Sequence, residues 1–136
     1  MQKKASLILD ALDYKDFELS IVITDDEDIK NLNKEFRQLD KATNVLSFPV
    51  NDENSSFIPF LSVLGDIVIS EDTAKKEALE AGITLDQRIS QLLVHGILHL
   101  IGYDHESGEA EEEEMTKKSI ELLSVIEKDK DLSWWI

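Results

Sequence analysis

Cysteine is absent from the 136 residues, so neither a disulfide nor a thiolate metal site is open to this chain. A reducing cytoplasm is the default location that this absence suggests. There is no run of about 18 apolar residues, so no membrane span is expected. The first ten residues start basic, but their apolar stretch is short and soon broken by Asp10, unlike a signal peptide. Cations are scarce: 14 Lys and Arg face 29 Asp and Glu, for a net charge of −15. A general nucleic-acid coat would need the opposite sign. Arg37 and Arg88 are the only arginines, so any nucleic-acid contact must be local, through a cluster such as Arg37 and Lys41 with Lys75, Lys76 or Arg88. The acidic run at 106–114 reads as a solvated helix face. No internal repeat or low-complexity linker divides the chain. Its 42% hydrophobic content suits one core, so residues 1–136 are expected to form a single domain.

What is present patterns into alternating helices and strands. Residues 4–12 read as a short amphipathic helix and 17–24 as a partly buried strand. Thr24-Asp-Asp-Glu27 matches a capping box, which predicts a helix from there to about residue 38. Residues 44–48 form a second predicted strand, stopped by Pro49, and 51–59 read as loop, with Phe57, Ile58 and Phe60 suited to a hairpin or flap. A third strand is predicted at 64–70, with Ser70 capping a helix over 71–80 that ends near Gly82. A second capping box, Thr84-Leu-Asp-Gln87, opens the most apolar helix, 86–101, and a last helix is predicted from about 108 to 128. Apolar residues cover nearly all of helix 86–101, as in a central buried helix. The expected fold class is α+β (α/β layered). It has a small mixed sheet of three to four strands covered by about five helices, with the central apolar helix carrying metal ligands.

That helix carries two of the chain's three histidines, and the third follows closely: His95-Gly-Ile-Leu-His99-Leu-Ile-Gly102-Tyr-Asp-His105. Residues four apart on a helix share a face, with Cβ atoms about 5–6 Å apart. Two imidazoles so placed can share one zinc ion, with Zn–N bonds of about 2.0–2.1 Å. Gly102 falls where the helix would end and can reverse the chain, bringing His105 back toward the pair. Three protein ligands leave the fourth position of one Zn2+ per chain for water, as catalytic zinc sites do. Two unrelated core histidines would explain His95 or His99 alone, but poorly the three together.

A second dense segment runs from Asn33 to Pro49. Arg37 at a helix end, followed by a strand carrying Ser47, can line one side of a cleft. Arginine is the usual residue for forked recognition of phosphate. A surface salt bridge or an interaction with the helix C-terminus accounts for Arg37 equally well from the segment alone.

Taken together, Asn33…Arg37…Thr43-Asn-Val-Leu-Ser-Phe-Pro49, Leu64-Gly-Asp-Ile-Val-Ile-Ser70 and the histidine block resemble the bacterial YbeY family, metal-dependent endoribonucleases of ribosomal RNA maturation. The blocks occur in order from Asn33 to His105, and the last is highly specific. The resemblance implies zinc at His95, His99 and His105, and Arg37 as a functional residue facing it. It also implies a role in maturing the 3′ end of 16S ribosomal RNA and in ribosome quality control. The partners implied are single-stranded ribosomal RNA and the ribosome or its small-subunit proteins. Asn44 stands where the family usually has Asp, which removes a charge but keeps the shape.

On this reading zinc polarises a phosphodiester oxygen or acidifies water, and Arg37, the expected catalytic residue, stabilises charge on the phosphorus oxygens. Arg37, Lys41 and Ser47 are the expected substrate contacts, and Asp66 or Asp104 are candidates to hold a second ring nitrogen of a histidine. Two other classes compete. The histidine spacing equals that of metzincin peptidases, but Gly96 occupies the place of their general-base glutamate. A non-catalytic ribosome assembly factor with structural zinc would suit the acidic surface, but not an open coordination position.

Overall fold

Five helices and three strands form within residues 2–14, 16–49, 63–102 and 108–127, the part of the chain that this computed structural model describes. In order they are α1 (Gln2–Ala11), β1 (Glu18–Thr24), α2 (Asp26–Arg37), β2 (Val45–Pro49), β3 (Val63–Ser70), α3 (Glu71–Ala81), α4 (Leu85–Leu100) and α5 (Glu109–Ile126). The strands form one mixed sheet in the order β1-β3-β2. The central β3 pairs parallel with β1 and antiparallel with β2, so that Ile67 stands between Ile21 and Ser47. The fold is α+β, as expected, at the lower strand count. The hairpin or flap expected around Phe57, Ile58 and Phe60 lies outside the described residues.

Local chemistry sets the element ends. Thr84 and Gln87 form the reciprocal capping box that opens α4, and the Ser70 hydroxyl accepts from the Thr73 N–H to open α3, which ends at Gly82. The start of α2 differs from expectation by one residue. Asp25 is the cap, its carboxylate accepting from the Asp28 N–H at 2.9 Å, while the Thr24 hydroxyl donates to Asp28 Oδ2 at 2.7 Å. Thr24 is still the last rung of β1, opposite Ser70, which leaves the next residue to cap. Pro49 ends β2 from within it, and β2 tolerates proline because it is an edge strand.

Side-chain alternation along β3 divides the core. Val68 joins Ile29 of α2 and Leu46 of β2 on one face. Ile67 and Ile69 join Leu93, Val94, Ile97 and Leu98 of α4 on the other. Helices α1 and α5 add Ile8, Met115, Leu122 and Leu123 to that larger cluster. Helix α4 is therefore central: Leu93, Val94, Ile97 and Leu98 have 0% of their surface exposed. Each such burial contributes about 1.5–3 kcal/mol, which makes α4 a rigid platform. Lys4 ties three parts together, its ammonium donating to Asp86 Oδ2 (2.9 Å), Ser90 Oγ (2.6 Å) and Glu127 Oε1 (3.3 Å).

Candidate active site

The last two turns of α4 bring His95 and His99 together beside β2. Their Nε2 atoms are 3.1 Å apart and their rings meet edge to face, with centroids 4.5 Å apart. Both rings are half-buried. Two nitrogens on one tetrahedral zinc ion, at bonds of about 2.0–2.1 Å, stand about 3.3–3.4 Å apart. The observed spacing is within a few tenths of an ångström of that, so the pair fits two adjacent corners of a zinc site. Gly102 follows α4 with φ +105°, a conformation that L side chains rarely adopt, and the residues after it, over which the expected chain reversal would run, lie outside the described part of the chain. His105 and Asp104 lie outside the described residues. Among the described residues no group of three metal-ligating side chains occurs.

Arg37 faces the same cleft, about 250 Å3 in volume, which is lined by Arg37, Val45, Leu46, Ser47, His95 and His99, together with Pro49. Among the described residues Arg37 makes no ion pair. Its Nη2 donates to the Ser47 carbonyl at 2.6 Å, and its guanidinium lies 5.5 Å from the centroid of the Phe48 ring. The arginine is thus tied to β2 rather than spent on a surface carboxylate. The turn that delivers it is fastened from within: buried Asn33 donates to the Lys41 carbonyl at 3.0 Å, and Gln38 caps α2 in the left-handed conformation.

Ser47 lies on the α4 face of β2, where its hydroxyl donates to the Gly96 carbonyl at 3.2 Å. This bond fixes α4 to the sheet between the two histidines. Lys41 is exposed and does not line the cleft. Asp66 pairs with Phe48 across β3 and β2. By strand alternation from Ile67 it points to the α2 face, away from the histidines, so its expected role as a ring-nitrogen acceptor does not hold.

Two features escaped sequence reasoning. A Cβ at Gly96 would stand 3.1–3.3 Å from the Ile67 side chain, so position 96 faces the sheet at close approach. Any side chain there, a glutamate included, would have to displace Ile67, although the sequence displays only a glycine between apolar residues. The other is a polar cluster below His95. Asn44 Nδ2 donates to both Glu77 oxygens (3.2 and 3.3 Å), and Arg88 donates to Glu77 Oε1 through Nε (3.2 Å) and Nη2 (3.1 Å). An aspartate at position 44 would repel Glu77, which gives a structural reason for asparagine here. Nothing in the sequence pairs Asn44 with Glu77, 33 residues away.

The fold and cleft define an α+β domain with a histidine pair and an arginine converging on one surface. Comparison with known proteins then places it. The family model for endoribonuclease YbeY matches residues 1–127, and the chain belongs to that family. It is 45% identical over 128 residues to the endoribonuclease YbeY of Aquifex aeolicus, covering 94% of this chain and 83% of that one. It is 50% identical over 132 residues to that of Nautilia profundicola, covering 94% and 89%. It also superposes on the solution structure of TM1509 from Thermotoga maritima with a TM-score of 0.67 at 29% identity, over 92% of this chain and 77% of that one.

Proposed function

We propose that this chain, read as one domain over residues 1–136, is a zinc-dependent endoribonuclease. In this reading it cuts single-stranded RNA in ribosomal RNA processing, at the 3′ end of 16S ribosomal RNA and in ribosome quality control. Family membership supports RNA cleavage. The observation that carries the metal reading is the convergence of His95 and His99 Nε2 to 3.1 Å in a cleft shared with Arg37. His105 is the third ligand in this reading, and one Zn2+ binds per chain. When bound, the metal supplies Lewis-acid activation of phosphate oxygen or of water.

The chain's own residues do the rest. The histidines must present Nε2 lone pairs, which requires the Nδ1–H tautomer of each ring. Arg37, pre-aimed by the Ser47 carbonyl, stabilises negative charge growing on the phosphorus oxygens. Arg37, Ser47 and, from the turn before β2, Lys41 contact the RNA. The acidic surface restricts RNA to this local patch, and contact with the ribosome or small-subunit proteins compensates for weak general affinity. The site of action in this reading is the cytoplasm. No described helix is long and apolar enough to cross a membrane. The peptidase alternative lacks its base, because position 96 is a glycine, packed closely against Ile67. The structural-zinc assembly factor does not account for Arg37 facing the histidine cleft.

The test is cleavage of an end-labelled single-stranded RNA by zinc-loaded wild type and by folded His99→Ala prepared in parallel. Cutting by wild type alone is expected. Equal cutting by both, or by neither, overturns the nuclease reading and leaves an assembly factor.

A further inference from the structure

A second cavity, about 120 Å3, adjoins the histidine cleft and is lined by Asn44, Arg88, Gln91, Leu92 and His95. His95 lines both spaces, so whatever occupies one lies beside whatever occupies the other. A cavity of that size has room for several waters or one planar base.

Its chemistry is specific. Gln91 is only 6% exposed. Its Oε1 accepts from Arg88 Nη1 at 2.6 Å, which fixes the amide's orientation. Its Nε2 then has no acceptor among the described residues, although buried polar groups are nearly always paired. Glu77 offsets the charge of Arg88 through two hydrogen bonds at 3.1–3.2 Å. A phosphate would meet that carboxylate, whereas a neutral ring would not. Arg88 spends three of its five N–H donors on Glu77 and Gln91, leaving two. Leu92 and the His95 imidazole supply apolar and aromatic walls of the kind on which unstacked bases rest.

We infer that this cavity is a nucleobase subsite that seats the base beside the scissile phosphate. Gln91 Nε2 donates to a base carbonyl, so the site favours guanine, cytosine or uracil over adenine, the one base without a carbonyl. Arg88 adds a further donor, and Asn44, held by Glu77, closes the wall. The inference rests on the endoribonuclease reading above and adds its base preference.

The experiment uses four single-stranded RNAs identical except for one central nucleotide, cut by wild type, Gln91→Leu and Gln91→Glu. Wild type should cut beside guanine, cytosine or uracil about tenfold faster than beside adenine, the usual discrimination of one good base contact. Gln91→Leu should lower the ratio toward one, Arg88 keeping whatever preference remains. Gln91→Glu is isosteric, keeps an oxygen for Arg88 and puts an acceptor in place of the donor. It should shift the preference toward adenine, whose amino group donates, and it carries the test if Gln91→Leu does not fold. A flat wild-type profile, or the same profile in every folded variant, overturns the subsite. If wild type cuts none of the four, the nuclease reading fails, and the subsite is judged by fluorescence anisotropy of labelled oligouridine and oligoadenosine. Tighter oligouridine binding that Gln91→Glu abolishes supports it, and equal affinities overturn it.

Discussion

Replacing Gly96 by alanine puts two known effects in opposition, and the geometry says which prevails. In a helix interior alanine is worth about 0.8–1.0 kcal/mol over glycine, so an unconstrained Gly96→Ala would stabilise the protein by about that much. Here the added methyl would lie 3.1 Å from Ile67 Cδ1, 3.2 Å from Cγ2 and 3.3 Å from Cγ1. Ile67 cannot retreat easily, because it is fully buried on the central strand and packed against α4. Overpacking of a tight core costs about 1–3 kcal/mol. The net expectation is a loss of about 1 kcal/mol, roughly 3–5 °C in Tm for a chain of this size. Separation of α4 from β2 also stretches the Ser47–Gly96 bond and moves both histidines relative to Arg37, so RNA cleavage should fall further than stability does. Urea unfolding of wild type, Gly96→Ala, Ile67→Val and the double variant isolates the clash. Ile67→Val alone should cost about 0.5–1.5 kcal/mol, yet in the Gly96→Ala background it should cost little or restore stability, because it removes the nearest methyl. A Gly96→Ala protein about 1 kcal/mol more stable than wild type, with additive double-variant behaviour, would refute the close-approach argument.

Arg37→Ala should lower single-turnover RNA cleavage by about 10²–10³-fold with zinc content unchanged and little loss of stability, since the residue is exposed. Retained cleavage would remove Arg37 from the mechanism. Asn44→Asp should destabilise by about 1–2 kcal/mol at neutral pH by setting a carboxylate against Glu77, and Glu77→Gln should relieve it in the double variant, as read by chemical denaturation. Asp26 accepts from the Ser70 and Thr73 hydroxyls, both at 2.5 Å, and these bonds hold its carboxyl below the usual range. A depressed folded-state value means the contribution is complete above the unfolded value of about 3.9 and fades as pH falls through the lower folded one. Asp26→Asn should therefore cost about 1 kcal/mol, constant from pH 7 to 5, and the difference from wild type should shrink below about pH 4. A difference that grows on acidification would contradict the assignment.

Much of the layout was legible because local signals were strong. The Thr84 and Ser70 caps, the Gly82 stop and the all-round apolar character of α4 each have one physical reading, and each holds. The α2 cap was off by one because Thr24 and Asp25 are both good caps, and only pairing with Ser70 decides which residue the strand claims. The histidine pair was legible from i, i+4 spacing alone. Arg37 was ambiguous because a helix-terminal arginine has many uses, and its bond to the Ser47 carbonyl is a tertiary fact. Asp66 failed for a related reason: which face a strand residue takes depends on register, which no single strand displays. The Gly96–Ile67 approach and the Asn44–Glu77–Arg88 cluster join residues far apart in sequence, so no local pattern announces them.

In the proposed function one metal ion held by the histidine cluster drives RNA cleavage. The most direct measurement strips the protein with a chelator and returns zinc stepwise, following bound metal and cleavage of single-stranded RNA together, for wild type and folded His99→Ala. Wild-type cleavage should vanish on stripping and return in proportion to zinc, saturating at one ion per chain, while His99→Ala should neither retain the ion nor cut. Cleavage that survives stripping, or that returns equally in His99→Ala, would contradict it.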